Sequence, residues 1–146
     1  MSQEPTVINN RYELGPRIGR GGMADVFLAR DILLDRQVAV KVLFPEHAVD
    51  PNFVERFRRE AQAVAGLNHT NIVGVYDWGR TGNTYFMAME YVKGRTLAEA
   101  LRTSGRLNAR SAAIVAGTIA NALAYAHRNN VVHRDIKPAN ILMGDD

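Results

Sequence analysis

Cysteine is absent from the 146 residues, which excludes disulfides and thiolate metal sites. That absence fits a reducing compartment and does not prove one. Lysine is scarce: only Lys41, Lys93 and Lys137 carry an ammonium, and every other basic side chain is arginine. Where arginine is the default cation, a lysine marks a site needing a compact point charge rather than a planar fork, unless the scarcity is chance. A dense basic stripe is also missing. The net charge of +3 suits an anionic ligand but not a nucleic-acid binder. Residues 1–10 are polar and lack the apolar core of a secretory signal. The longest apolar run, 112–126, is interrupted by Thr118 and Asn121 and is too short to cross a bilayer comfortably. The chain therefore contains no membrane segment by sequence, and a cytoplasmic location is expected.

What is present is ordinary globular material, 47% hydrophobic and 23% charged, at the length of one domain. Three β-rich runs come first: Arg11 to Gly19, Asp25 to Arg30 and Gln37 to Leu43, the last two joined by a turn over Asp31 to Arg36. Asp50 followed by Pro51 is an N-cap and first-turn pair, and predicts a helix running to about Gly66. Ile72 to Trp78 and Thr84 to Val92 predict two more strands around a hairpin at Arg80 to Asn83. After Lys93-Gly94 the pattern becomes helical, with a short helix over Thr96 to Thr103 and a long one over Asn108 to Arg128. The long helix is apolar or small almost all round, which reads as burial on every side. From Val131 the chain is loop, with a short strand at Ile141 to Met143. The expected fold class is α+β, divided into an extension (1–11), a strand-rich lobe (12–92) and a helical part (93–146).

Four stretches carry chemistry. Gly19-Arg20-Gly21-Gly22-Met23-Ala24-Asp25-Val26 is a glycine turn between strands, where backbone amides can approach phosphate oxygens. It reads equally as a plain glycine-rich hairpin. A dinucleotide fold is disfavoured because strand, not helix, follows the glycines. Lys41 alternates with Ala39 and Leu43, so the three share a face; alone it reads as an edge lysine. Phe53, Phe57, Val64 and Leu67 mark an apolar helix face with Glu60 in its middle. A carboxylate there needs a partner, and Lys41 is the natural one; the alternative is a Glu60 at the rim, reaching water. Arg56, Arg58 and Arg59 read as a solvated helix face. Met87 to Val92 is a strand end at the change of composition, a place where connectors line clefts.

The fourth stretch is His133-Arg134-Asp135-Ile136-Lys137-Pro138-Ala139-Asn140, spaced as H-R-D-x-x-x-x-N. Asp135 can accept a hydroxyl proton, Lys137 can neutralise a migrating phosphoryl group, and Asn140 can offer an amide oxygen to a hard divalent cation. His47, His69 and His127 have no ligand-like spacing and read as structural or exposed.

Together these residues resemble the eukaryotic-type serine/threonine protein kinases, and most of all bacterial members, whose glycine turn often reads G-x-G-G-M-[AG]-x-V. The resemblance runs from about Tyr12 to Asp146. It implies a kinase-like fold: a five-stranded antiparallel sheet with one long helix, then the start of a helical lobe. It implies ATP and Mg²⁺ as cofactors and protein Ser/Thr hydroxyls as acceptors. Ile18, Val26, Ala39 and Leu142 would enclose adenine. Gly19, Arg20, Gly21, Gly22, Met23 and Ala24 would fold over phosphates. Lys41 would hold the α- and β-phosphates and pair with Glu60. Met89 resembles the gatekeeper, and Glu90 and Val92 the hinge groups. Asp135 would be the base, Asn140 a metal ligand, and Arg134 the arginine that meets a phosphorylated activation loop. Lys137-Pro138 is the serine/threonine form. The sequence departs from the pattern in having Ala24 for the third glycine and no Asp-Phe-Gly motif. The expectation is therefore an incomplete catalytic domain whose phosphoryl transfer is very weak alone. Its second half would expose an apolar patch and self-associate. The alternative is a non-catalytic, nucleotide- or partner-binding module.

Overall fold

A computed structural model describes residues 6–145. The described part of Met1–Gly66 together with Gly74–Tyr91 forms one compact unit; Leu67–Val73 and the described part of Val92–Asp146 form another.

The first unit is built on an antiparallel sheet of six strands: β1 (Val7–Ile8), β2 (Tyr12–Arg20), β3 (Ala24–Asp31), β4 (Arg36–Leu43), β5 (Val75–Thr81) and β6 (Thr84–Glu90). Their order is β1-β2-β3-β4-β6-β5. Five strands were expected. The sixth is β1, which lies within residues 1–11 and pairs Ile8 with Tyr12; it is recruited because Ile8 buries its side chain. A two-residue segment leaves no periodicity to read, so only tertiary pairing reveals it. The β5–β6 pairing runs to Thr81 and Thr84, so the turn is tighter than the Arg80 to Asn83 expectation, with Gly82 at a φ of 59°.

Strand alternation gives this sheet two apolar faces. Val38 and Val40 join Ile8, Tyr12, Ala29, Phe86 and Ala88 on one face. On the other, Leu43 joins Ala24, Met87, Phe57 and Ala61. Phe57 and Ala61 come from α2 (Pro51–Ala65), which is preceded by a short helix, α1 (Pro45–Ala48). Asp50 caps α2 as its sequence implies, its side chain accepting from Asn52 N at 2.9 Å.

One buried carboxylate locks the end where β2, β3 and β4 meet. Asp31, fully buried, accepts from Arg11 through both oxygens at 2.9 Å, from Arg36 at 3.1 Å, and from the amides of Leu33 and Leu34. The Arg11 fork, aided by the Leu34 amide and Arg36 and opposed by burial, holds this carboxyl well below its ordinary range. The buried Tyr12 hydroxyl donates to Asp77 at 2.9 Å; burial, then the Asp77 carboxylate, push its pKa up.

The second unit contains α3 (Leu97–Ser104), α4 (Ala109–Arg128), a 3-10 turn at Pro138–Asn140, and a two-stranded ribbon of β7 (Gly94–Thr96) and β8 (Leu142–Gly144). Thr96 and Glu99 form a capping box on α3, and Asn108 caps α4 through Ser111 N at 2.8 Å. The expectation that α4 is buried on every side is not met. Only Ala122 and Ala126 are buried, and Ile114 is 60% exposed. The sequence reports what the helix can tolerate around it, whereas the exposure reports how little of the described chain covers it. Among the described residues, no helix is long and apolar enough to cross a membrane.

Candidate active site

In the first unit, β2 and β3 converge on the glycine turn, closed by Gly21 N donating to Ala24 O at 2.8 Å. Gly21 and Gly22 keep negative φ, so the turn does not need glycine for its conformation. A Cβ on Gly22 would meet nothing within 4 Å, and one on Gly21 only Ala24 O at 3.6 Å. Neither conformation nor crowding within the chain explains these glycines. What they provide is bare backbone that an anion can approach closely.

Sheet register places the other candidates. Gly19 pairs with Val26, Val26 with Lys41, and Lys41 with Met87; two residues along, on the same face, Ala39 pairs with Met89. Ala39 is buried, Met23 and Met89 pack against the cluster beneath α2, and Ile18 is exposed. Glu90 is anchored to Gly74 twice: its amide donates to Gly74 O at 2.8 Å, and its carboxylate accepts from Gly74 N at 3.1 Å.

Lys41 Nζ donates to Glu60 Oε1 at 2.7 Å. The pairing is as anticipated, but the setting is not: Glu60 is 44% exposed and Lys41 20%. Glu60 does not occupy the middle of the apolar face. The buried face centres on Phe57 and Ala61, with Val54 packed beside them. At about 100° per residue, Ala61 and Val54 stand on one side of Phe57 and Glu60 on the other, at the rim. The carboxylate is thus paired and wet at once. On the outer face Glu55 collects Arg58 and Arg59, while Arg56 is exposed, consistent with a solvated surface.

In the second unit, the H-R-D stretch is held by short-range bonds. Asp135 N donates to His133 Nδ1 at 3.1 Å, and Asn140 Nδ2 donates to Asp135 O at 2.8 Å. Lys137 Nζ lies 3.3 Å from Asp135 Oδ2, with both side chains more than half exposed. Arg134 has a φ of 73°, a costly conformation for a non-glycine residue and one found at functional loops. With its amide nitrogen committed to Asp135, Asn140 keeps its amide oxygen free of protein donors among the described residues. That oxygen suits a hard cation. No group of three or more His, Asp or Glu side chains among the described residues can form a cage, so a cation here would draw on water and phosphate oxygens as well. Leu142 lies on β8, partly exposed, and Val92 is half-buried.

Residues 12–146 match the family model described as protein kinase domain. The chain belongs to this family. It is 49% identical over 136 residues to the serine/threonine-protein kinase PrkC of Bacillus subtilis, covering 93% of this chain and 21% of that relative. It is 48% identical over 143 residues to the serine/threonine-protein kinase PknB of Mycobacterium tuberculosis, covering 95% of this chain and 23% of the relative. Among solved structures it resembles the Mycobacterium tuberculosis PknI kinase domain, with a TM-score of 0.81 and 31% identity over 99% of this chain and 59% of that one. The chain thus spans under a quarter of the length of these curated kinase relatives.

Several features of this kinase-family chain were not legible in its motifs. The Asp31 lock joins residues with no shared pattern. The β7–β8 ribbon tethers the segment after Asn140 to the segment after Val92, through Leu97 N to Ile141 O at 2.8 Å and Asp145 N to Lys93 O at 3.0 Å. The one usable signal was Gly94: its φ is +150°, and a Cβ there would collide with the Met143 carbonyl. His47 and His69 have structural neighbours, Phe53 and Tyr125 respectively, and His127 is exposed.

Proposed function

We propose that this chain carries the nucleotide-binding and catalytic-loop portions of an ATP-dependent, Mg²⁺-requiring serine/threonine protein kinase, which transfers the γ-phosphoryl group to protein Ser or Thr hydroxyls. The observation that supports it most is the 2.7 Å pair between Lys41, on the sheet that carries the bare glycine turn, and Glu60 of α2. A kinase-type site places its lysine where the partner glutamate orients it and the phosphates draw its charge.

The roles follow from chemistry. The glycine turn, with Gly19, Arg20, Gly21, Gly22, Met23 and Ala24, presents donors to phosphate oxygens. Lys41 neutralises the α- and β-phosphates, and Glu60 fixes its ammonium. By the family pattern, Ile18, Val26, Ala39 and Leu142 are the adenine contacts, Met89 is the gatekeeper, and Glu90 and Val92 are the hinge groups that offer backbone hydrogen bonds. Asp135 accepts the proton of the attacking hydroxyl while Lys137 balances charge on the phosphoryl group. Asn140 offers its amide oxygen to Mg²⁺, which when bound neutralises the phosphate oxygens. Catalysis of this kind is mainly positioning and charge stabilisation. The 146 residues contain no Asp-Phe-Gly and hence lack the metal-binding carboxylate of the family pattern, so transfer by this chain alone is expected to be very weak.

Titration with ADP and Mg²⁺ tests the reading. Lys41→Met should weaken binding by about tenfold or more, the scale of a charge-assisted phosphate contact. Unchanged binding in Lys41→Met would refute the assignment. Binding without transfer, even in a longer chain with Asp135 intact, would favour the non-catalytic module instead.

A further inference from the structure

The first unit contains a line of ring contacts that the proposed chemistry does not use. Arg20, in the glycine turn, places its guanidinium carbon 5.0 Å from the centroid of Phe44. Phe44 lies 6.1 Å from the ring of His47, and His47 stacks on Phe53 at 4.0 Å with planes 20° apart. Arg56 covers Phe53 at 5.5 Å. Both guanidinium carbons lie within the distance where cation–π contacts are favourable, the Phe44–His47 pair falls in the usual aromatic range, and His47 and Phe53 are stacked in close contact. The backbone follows the same route. Phe44 N donates to Met23 O at 2.8 Å, His47 N to Phe44 O at 2.9 Å, and Asp50 N to His47 O at 3.1 Å. Asp50 is the cap of α2, and Phe53 lies in its first turn.

We infer that Arg20, Phe44, His47 and Phe53 form a positioning device that couples anion occupancy of the glycine turn to the seating of α2, and through α2 to the Lys41–Glu60 pair. The identity of the anion as a nucleotide rests on the function proposed above; the coupling itself does not.

The sign of the coupling follows from Arg20. Its carboxylate neighbour, Asp25, is 3.7 Å away, beyond hydrogen-bond length, and Asp25 Oδ1 is buried with no hydrogen-bond partner. Arg20 is therefore not saturated by Asp25. A guanidinium lying over a ring keeps its N–H donors directed outward in its own plane, free for an anion. The ring contact and the anion contact are compatible, so each favours the other. An anion at the turn steadies Arg20 on Phe44, and the stack passes that order to the first turn of α2. Glu60 lies on the same helix, two turns beyond Phe53, and among the described residues its hydrogen-bond and ion-pair partner is Lys41 and none of these residues.

The test has two arms on the 146-residue chain. The first uses no nucleotide. Amide hydrogen exchange is followed over residues 52–57 in the parent chain, in Phe44→Leu, which keeps bulk but removes the ring face, and in Arg20→Gln, an exposed change that leaves folding undisturbed. Exchange should quicken by roughly two- to fivefold in both variants, the size of one exposed cation–π contact. Because Arg20 has no contact with α2, unchanged exchange in Arg20→Gln overturns the inference. The second arm is a double-mutant cycle of Arg20→Gln and Glu60→Gln on the affinity for ADP with Mg²⁺. The combined loss should differ from the product of the single losses by about two- to fivefold, whereas independent sites would multiply. Multiplicative losses also overturn the inference. If the parent chain binds no ADP while α2 still responds to Arg20→Gln, the nucleotide reading fails; slower exchange over residues 52–57 in inorganic pyrophosphate then sustains the coupling, and unchanged exchange overturns it.

Discussion

The two compact units place their candidate residues by different means. Lys41 lies in a central strand between Val40 and Val42, with a buried cluster on each face of its sheet. Asp135 lies in a loop, more than half exposed, and its neighbours His133, Lys137 and Asn140 come from within five residues of it. In the first unit, packing fixes the backbone and the side chain inherits its place. In the second, a few local hydrogen bonds and one strained φ do the same work with almost no core. The buried apolar side chains there are Leu97, Ala100, Ala122 and Ala126, against a first-unit core that includes Tyr12, Phe57, Phe86 and Leu43. A shared core resists disturbance cooperatively, whereas a hydrogen-bonded loop is only as firm as its anchors.

That contrast is open to attack, most forcefully at the first unit's core. Phe57→Ala should cost about 3–5 kcal/mol, since a fully buried aromatic leaves a cavity. Urea unfolding followed by Trp78, the sole tryptophan, reports on this unit; a cost below about 1 kcal/mol would mean the core does not depend on α2.

The Asp31 lock gives the next largest effect, with a defined pH dependence. Its ordinary value is 3.8, and the folded chain holds it lower, with Arg11 the leading cause. The folded state thus binds this proton more weakly than the unfolded state. The stabilisation is complete above the unfolded value and drains away as pH falls from about 4 through the folded value. Asp31→Asn should remove about 2 kcal/mol near neutrality and flatten that acid limb. An acid limb of equal slope in the variant would show that other groups carry it.

Gly94→Ala tests the second unit. The collision with Met143 and the positive φ should break the β7–β8 ribbon at a cost of roughly 1–3 kcal/mol, with backbone chemical shifts of Ile141 to Gly144 moving to loop values. Retention of those shifts would mean the ribbon is not what anchors the loop. The smallest effect belongs to Ile114→Lys on the exposed side of α4: stability should change by under about 0.5 kcal/mol, while apolar-dye binding and self-association decrease. A parent chain that is monodisperse and binds no dye would remove the basis for that expectation.

Particular elements show how far sequence reading reached. The cap at Asp50 was visible because capping is local chemistry; the starts of α3 and α4 were placed at Thr96 and Asn108, but the structure is what shows these two residues capping. The Lys41–Glu60 pairing was visible because two independent periodicities each left a charge on an apolar face. Its exposure entered only as the alternative to pairing, because the face was drawn through Phe53 and Val64 while the structure turned α2 toward Ala61 and Val54. The Asp31 lock and β1 carried no sequence signal, since each joins short or patternless segments.

By itself, then, the sequence determined the local matters: where helices begin, which strand positions share a face, and which spacing places Asp135 beside Lys137 and Asn140. These depend on bonds within a few residues or on a fixed repeat. The tertiary structure alone decided how α2 is rotated on the sheet, which carboxylate is buried, which of the apolar helices stays uncovered, and that a line of rings runs from Arg20 to Phe53. Those outcomes are competitions among distant groups for the same space and the same hydrogen-bond partners, and no stretch of chain encodes the result on its own.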